Sequence, residues 1–169
     1  MDKLKFFLQI KTWKLFCLYI SLFVFGWISF FENFIAPVII IIWFTWIVSI
    51  GYNGQDFLNG LTPNWLTKTK FKIRVLILIS LIVFSPFLPD QTMLDTNPLF
   101  LIIIIPITLV GLYCFYYIFI ATTVVISTME HRRKPEFWSS FGHFFRLIVF
   151  PLGVVGIQPI LNKEFEKLY

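Results

Sequence analysis

Four long apolar runs, parted by short polar stretches, set the pattern of the chain. They occupy residues 15–31, 34–50, 75–89 and 98–129. None shows the in–out alternation that a barrel strand requires. Ile and Val are abundant, but a backbone that must satisfy its own hydrogen bonds in lipid is helical. A spanning helix needs about 20 residues, within a range of ~17–25. The pattern therefore predicts an all-α fold, a transmembrane bundle of four spans in one integral membrane domain. The spans are expected at about residues 12–31, 34–51, 71–89 and 98–129. The third reaches spanning length by taking in residues 71–73, with Arg74 snorkelling to the surface. The fourth, at 32 residues, exceeds one bilayer and should tilt or project, with Pro106 a candidate kink.

The polar stretches orient the bundle. Lys3, Lys5, Lys11 and Lys14 precede the first span. Lys68, Lys70, Lys72 and Arg74 stand between the second and third, and Arg132, Arg133 and Lys134 follow the fourth. The other two connections, Glu32 with Asn33 and residues 90–97, carry no basic residue. Lys and Arg gather on the cytoplasmic side, so both termini are expected there. The first span reads as an uncleaved signal anchor, because it is long for a signal peptide and lacks a small-residue cleavage site. Pro37 is expected in the first turn of the second helix. The inner loop, residues 52–70, holds two Asn-Gly pairs and enough apolar residues to pack on the inner face.

Composition agrees. Of 169 residues, 58% are hydrophobic and only 14% charged, against roughly 45–50% and about 25% in ordinary globular domains. So little charge could not cover a water-exposed surface. The net charge of +5 does not point to nucleic acid, because the cations flank apolar spans. Cys17 and Cys114 have no metal-type spacing and are expected as free thiols on the reducing side.

The C-terminal third is harder to place. In FWSSFGHFFRLIVF, Ser139, His143 and Arg146 share one helical face and aromatic residues fill the rest, which predicts an amphipathic helix in the membrane interface over about residues 137–150. The following stretch, residues 151–169, holds Pro151, Gly153, Gly156 and Pro159. Proline removes a backbone donor and disfavours helix at the residue before it, so a broken tail is expected, with a turn at residues 151–153. Docking on the other helices, a re-entrant dip and a fifth span all fit. Docking is favoured, because so few residues with two prolines barely span. Pro151, Gly153, Gln158, Pro159 and Asn162 are its candidate docking residues, with helix ends or the inner loop as expected partners. Pro151, Gly153, Ile157, Gln158, Pro159 and Asn162 also form a Pro-x-Gly…Ile-Gln-Pro-x-x-Asn ending. With the aromatic helix before it, this resembles the end of small four-span membrane proteins of Bacteroidota, although Ile160 stands where those proteins carry Arg. The resemblance covers about thirty residues and implies a bacterial inner-membrane location, but no activity.

Candidate chemistry is sparse. The four apolar runs contain no acidic or basic residue, which argues against proton relays and ion-coupled transport. Arg132, Arg133, Lys134, His143 and Arg146 are candidate contacts for anionic lipid headgroups. Glu130, His131, Glu136 and His143 match no metal or acid–base motif, and no phosphate loop or nucleophile elbow is present. Trp43 and Trp46, mid-span, are read first as helix packing, or else with Tyr113, Tyr116 and Tyr117 as an intramembrane pocket. Thr122 and Thr123 are expected to bond back to their own helix. No catalytic residue, metal or cofactor is assigned. The expected function is non-enzymatic, an accessory or scaffold protein acting through a protein partner, a second copy or lipid. A pore or membrane-perturbing effector is the alternative, and a lipid-modifying enzyme using Glu130, His131 or His143 the third reading.

Overall fold

The computed structural model describes residues 10–26, 32–58, 61, 63–88, 98–133, 137–149 and 152–166. They form six α-helices: α1 (Thr12–Gly26), α2 (Glu32–Asn53), α3 (Lys68–Phe84), α4 (Leu101–His131), α5 (Phe137–Ile148) and α6 (Leu152–Glu166). Among the described residues there is no strand. Two helical segments, Pro37–Phe57 and Leu101–His131, are long and apolar enough to cross a membrane. The chain is thus all-α, as the apolar runs predict.

Helix α4 is the axis of the fold, touching α2, α3, α5 and α6, while α1 rests on α2 and α6. Its two halves have different surroundings. Positions 121 to 129 are all buried, whereas Leu101, Ile102, Ile103, Ile105, Leu109 and Val110 are exposed. The buried half carries Thr122, Thr123 and Thr128, whose hydroxyls donate to the carbonyls of Ile118, Phe119 and Val124 at 2.7–2.8 Å. Bonding back to their own helix lets these hydroxyls sit in the core without stranding a donor. Aromatic rings join the helices: Phe119 of α4 meets Trp43 of α2 with ring centroids 5.6 Å apart, and Phe144 of α5 at 6.4 Å.

Close approach of α2 to α4 depends on glycine. A Cβ on Gly51 would lie 2.4 Å from the Phe71 ring and 2.5 Å from Thr122 Oγ1. Helix α3 starts on a side-chain cap, the backbone N–H of Lys70 donating to Thr67 Oγ1 at 3.3 Å. This satisfies one of the donors a helix start leaves open. Because α2 begins at Glu32, Pro37 falls in its second turn rather than the first. Helix α4 continues through Pro106, which is exposed.

The tail departs most from the sequence reading. It is not broken: α6 runs unbroken through Pro159, and Gly153 lies inside it, its N–H donating to the Val149 carbonyl at 3.1 Å. Pro159 deprives only the Val155 carbonyl of a partner, and both residues are exposed, so no buried acceptor is stranded. Gly153 serves close packing: a Cβ there would meet the Arg146 carbonyl oxygen at 2.2 Å. Val154, Ile157 and Leu161, at i, i+3 and i+7, form the buried stripe of α6.

Candidate functional site

Buried polar groups collect where α6 meets α1 and α2. Gln158 is fully buried. Its Oε1 accepts from Trp46 Nε1 at 2.8 Å, and its Nε2 donates to the Ile10 carbonyl at 2.9 Å and to Asn162 Oδ1 at 3.3 Å. Asn162 Nδ2 in turn donates to Thr12 Oγ1 at 3.3 Å. One side chain thus ties the backbone just before α1 and the middle of α2 to the last described helix. The partners are the backbone just before α1, the first residue of α1 and an indole of α2.

Trp43 has a matching role. Pro151 has no N–H, so the Leu147 carbonyl four residues earlier receives no helical bond from it. Trp43 Nε1 donates to that carbonyl at 3.2 Å. Both tryptophans of α2 therefore point their donors at the C-terminal helices. The tyrosines lie on another side of the bundle: Tyr113 OH accepts from Arg74 of α3 at 2.9 Å, Tyr117 OH donates to the Trp65 carbonyl at 3.0 Å, and Tyr116 is exposed. The expected pocket of Trp43, Trp46, Tyr113, Tyr116 and Tyr117 is not assembled.

A second polar group surrounds the end of α4. Helix α5 turns Ser140, His143, Phe144 and Leu147 inward and leaves Phe141, Phe145 and Ile148 exposed. His143 is 4% exposed, so the lipid headgroup contact expected of it is replaced by Glu130, whose Oε2 lies 2.7 Å from Nε2. Arg132 takes a left-handed backbone with φ of 51° at the end of α4, and its side chain pairs with Glu164 of α6. Arg146 is exposed and lies across Gly156. Arg133 is exposed. Lys134 and Pro151 lie outside the described residues. Among the described residues, no group of three or more His, Cys, Asp or Glu could hold a metal ion. Both cysteines are free.

Burial pushes the His143 imidazole below its ordinary pKa range, with Arg146 and His131 adding to the effect, while Glu130 pulls it up by charge and hydrogen bond. Burial prevails, and the geometry agrees. Nε2–H can donate to Glu130, but Nδ1 is buried with no partner, so a second proton would be a stranded donor. A lowered folded value means that the unfolded chain takes up the proton first as pH falls. Stability is then fully present above the unfolded value of about 6.5 and declines below it. Melting curves of the full chain between about pH 7.5 and about pH 5 should fall more steeply than those of His143→Gln, which keeps a donor but does not titrate. Equal slopes would mean that His143 is not held neutral.

No family model, curated protein or solved structure matches this chain.

Proposed function

We propose that the chain is a multi-pass membrane protein with four spans, built on α1 to α4, that acts without catalysis as an accessory or scaffold subunit through lipid or protein contact. The observation that carries this reading is the exposed surface of α3 beyond Arg74 and of the first half of α4. Leu76, Ile77, Ile82, Val83 and Phe84 lie bare on α3, as do Leu101, Ile102, Ile105 and Leu109 on α4. Those stretches carry no charged residue. Proteins in water rarely leave so continuous an apolar face open, and in a bilayer it is the surface that lipid solvates. The Bacteroidota-like C-terminal motif supports a bacterial inner membrane, with the cations flanking the spans facing the cytoplasm.

The scaffold reading rests on where the polar groups point. The hydroxyls of Thr122, Thr123 and Thr128 bond back to their own helix, and the buried His143 Nδ1 has no partner and no solvent contact. A pore would draw on such hydroxyls and an enzyme on such an imidazole, so conductance across liposomes and neutralisation of both histidines test those two alternatives. Topology is tested by single cysteines at Asn33, Asp95 and Asn59 in a chain with Cys17 and Cys114 replaced. An impermeant thiol reagent applied outside the cell should reach the first two and miss the third. Labelling at position 59 alone would invert the topology, and labelling at all three would refute the spans.

A further inference from the structure

The cation Arg74 is held by aromatic and backbone partners, with no counter-charge among the described residues. Its guanidinium stacks on the Tyr117 ring, 3.9 Å from the centroid. Nη2 donates to Tyr113 OH at 2.9 Å and Nη1 to the Lys70 carbonyl at 3.0 Å. These bonds fix the plane of the group and leave a second N–H on each terminal nitrogen. Nε is buried and meets no acceptor. No carboxylate pairs with Arg74, nor with Lys70 or Lys72 beside it, among the described residues. Three cations without a counter-charge among the described residues thus stand in the first half of α3, one of them locked between two tyrosines.

An apolar groove starts one helical turn away. It runs between the antiparallel helices α3 and α4, with a cavity volume of about 360 Å³. Leu78, Leu81 and Ile82 form one wall, Gly111, Leu112 and Phe115 the other, and among the described residues only Ser85 and Thr108 bring hydroxyls to it. From Arg74 to Ser85, at ~1.5 Å per residue, is about 16 Å of helix. One leaflet of hydrocarbon is about 15 Å, half of a core of ~30 Å. A phosphate at Arg74 would therefore have its acyl chain along the groove, ending near the midplane.

We propose that the α3–α4 groove is a binding site for an anionic phospholipid, its phosphate on Arg74 and one acyl chain between Leu81 and Gly111. The proposal rests on the membrane reading above and adds a defined lipid to it. A planar guanidinium matches a phosphate with two parallel N–H bonds, and the neighbouring lysines favour a headgroup of net negative charge over a zwitterionic one. The groove excludes an acidic peptide as the better occupant, because beyond the cations it offers almost no polar partner.

The test uses the full chain in detergent, stripped of lipid and incubated with phosphatidylglycerol, with phosphatidylcholine of the same chain length, or with inorganic phosphate, and read by native mass spectrometry. Wild type should retain phosphatidylglycerol in preference to phosphatidylcholine, and phosphate should not displace it. Arg74→Gln should reduce retention about tenfold, the scale of a charge-assisted hydrogen-bond pair, and abolish the preference. Gly111→Leu should reduce retention of both lipids, because an added Cβ has room, 3.5 Å from Leu81 Cδ1, and the rest of the side chain fills the groove. Lys163→Gln should leave retention unchanged. Wild-type retention in Arg74→Gln or in Gly111→Leu, equal retention of the two lipids, or displacement by phosphate would each overturn the site. Recovery of the chain in the aqueous fraction without detergent would instead defeat the membrane reading itself.

Discussion

Ending the chain after Phe150 should lower its melting temperature more than any single substitution in it. The cut removes α6, and with it the buried stripe of Val154, Ile157 and Leu161. It also removes Gln158, which leaves Trp46 Nε1–H and the Ile10 carbonyl without the partners they now have. A buried polar group deprived of its partner costs about 1–3 kcal/mol. The buried Trp46 indole alone accounts for about that much before any packing is lost, and the half-buried Ile10 carbonyl adds to it. Gln158→Leu isolates the polar part: the volume is nearly kept, the bonds are not, and the expected loss is about 1–3 kcal/mol. Thermal unfolding of wild type, Gln158→Leu and the truncated chain should rank in that order. Three equal melting temperatures would mean that α6 contributes nothing to the fold.

Opposite effects are expected from two glycine-to-alanine substitutions. In a helix interior, alanine is better than glycine by about 0.5–1 kcal/mol. At Gly142 of α5 nothing lies within 4 Å of the added Cβ, so Gly142→Ala should stabilise by roughly that amount. At Gly51 the same carbon would lie 2.4 Å from the Phe71 ring and 2.5 Å from Thr122 Oγ1. Phe71 and Thr122 are both fully buried and have little room to yield. Overpacking of this kind costs about 1–3 kcal/mol, which exceeds the gain in propensity. Gly51→Ala should therefore melt lower than wild type while Gly142→Ala melts higher. A Gly51→Ala chain as stable as wild type would show that α2 and α4 can move apart without loss.

These outcomes also show which parts of the structure could be read from the chain. Helices α1 to α4 follow from runs of apolar residues, because continuity and length are local properties. The inward face of α5 is half legible: the polar stripe of Ser139, His143 and Arg146 marks a helix, but nothing local says that His143 turns towards Glu130, thirteen residues earlier. For α6, proline and glycine argue for a break, while the i, i+3, i+7 spacing of Val154, Ile157 and Leu161 argues for a helix. Proline breaks a helix only where the freed carbonyl is buried or the ring collides, and at Pro159 the exposed face avoids the first. The partners of Gln158 were out of reach, because Trp46 lies 112 positions away and Ile10 lies 148 away. Locally, Arg74 is a cation beside an apolar run, which points it to the surface. Its capture by Tyr113 and Tyr117 of α4 depends on how two helices pair, which no local pattern encodes.

The bond from Gln158 to Ile10 also imposes an order in time. Residue 158 is synthesised 148 residues after residue 10, so the backbone that leads into α1 waits for its partner until α6 has been made. Until then the Ile10 carbonyl and the Trp46 indole are served by water or by temporary neighbours. Contacts this distant along the chain close late, because the loop they seal is long. Of the six described helices α6 is made last, so the bonds that join it to the start of the bundle are the last of theirs to close.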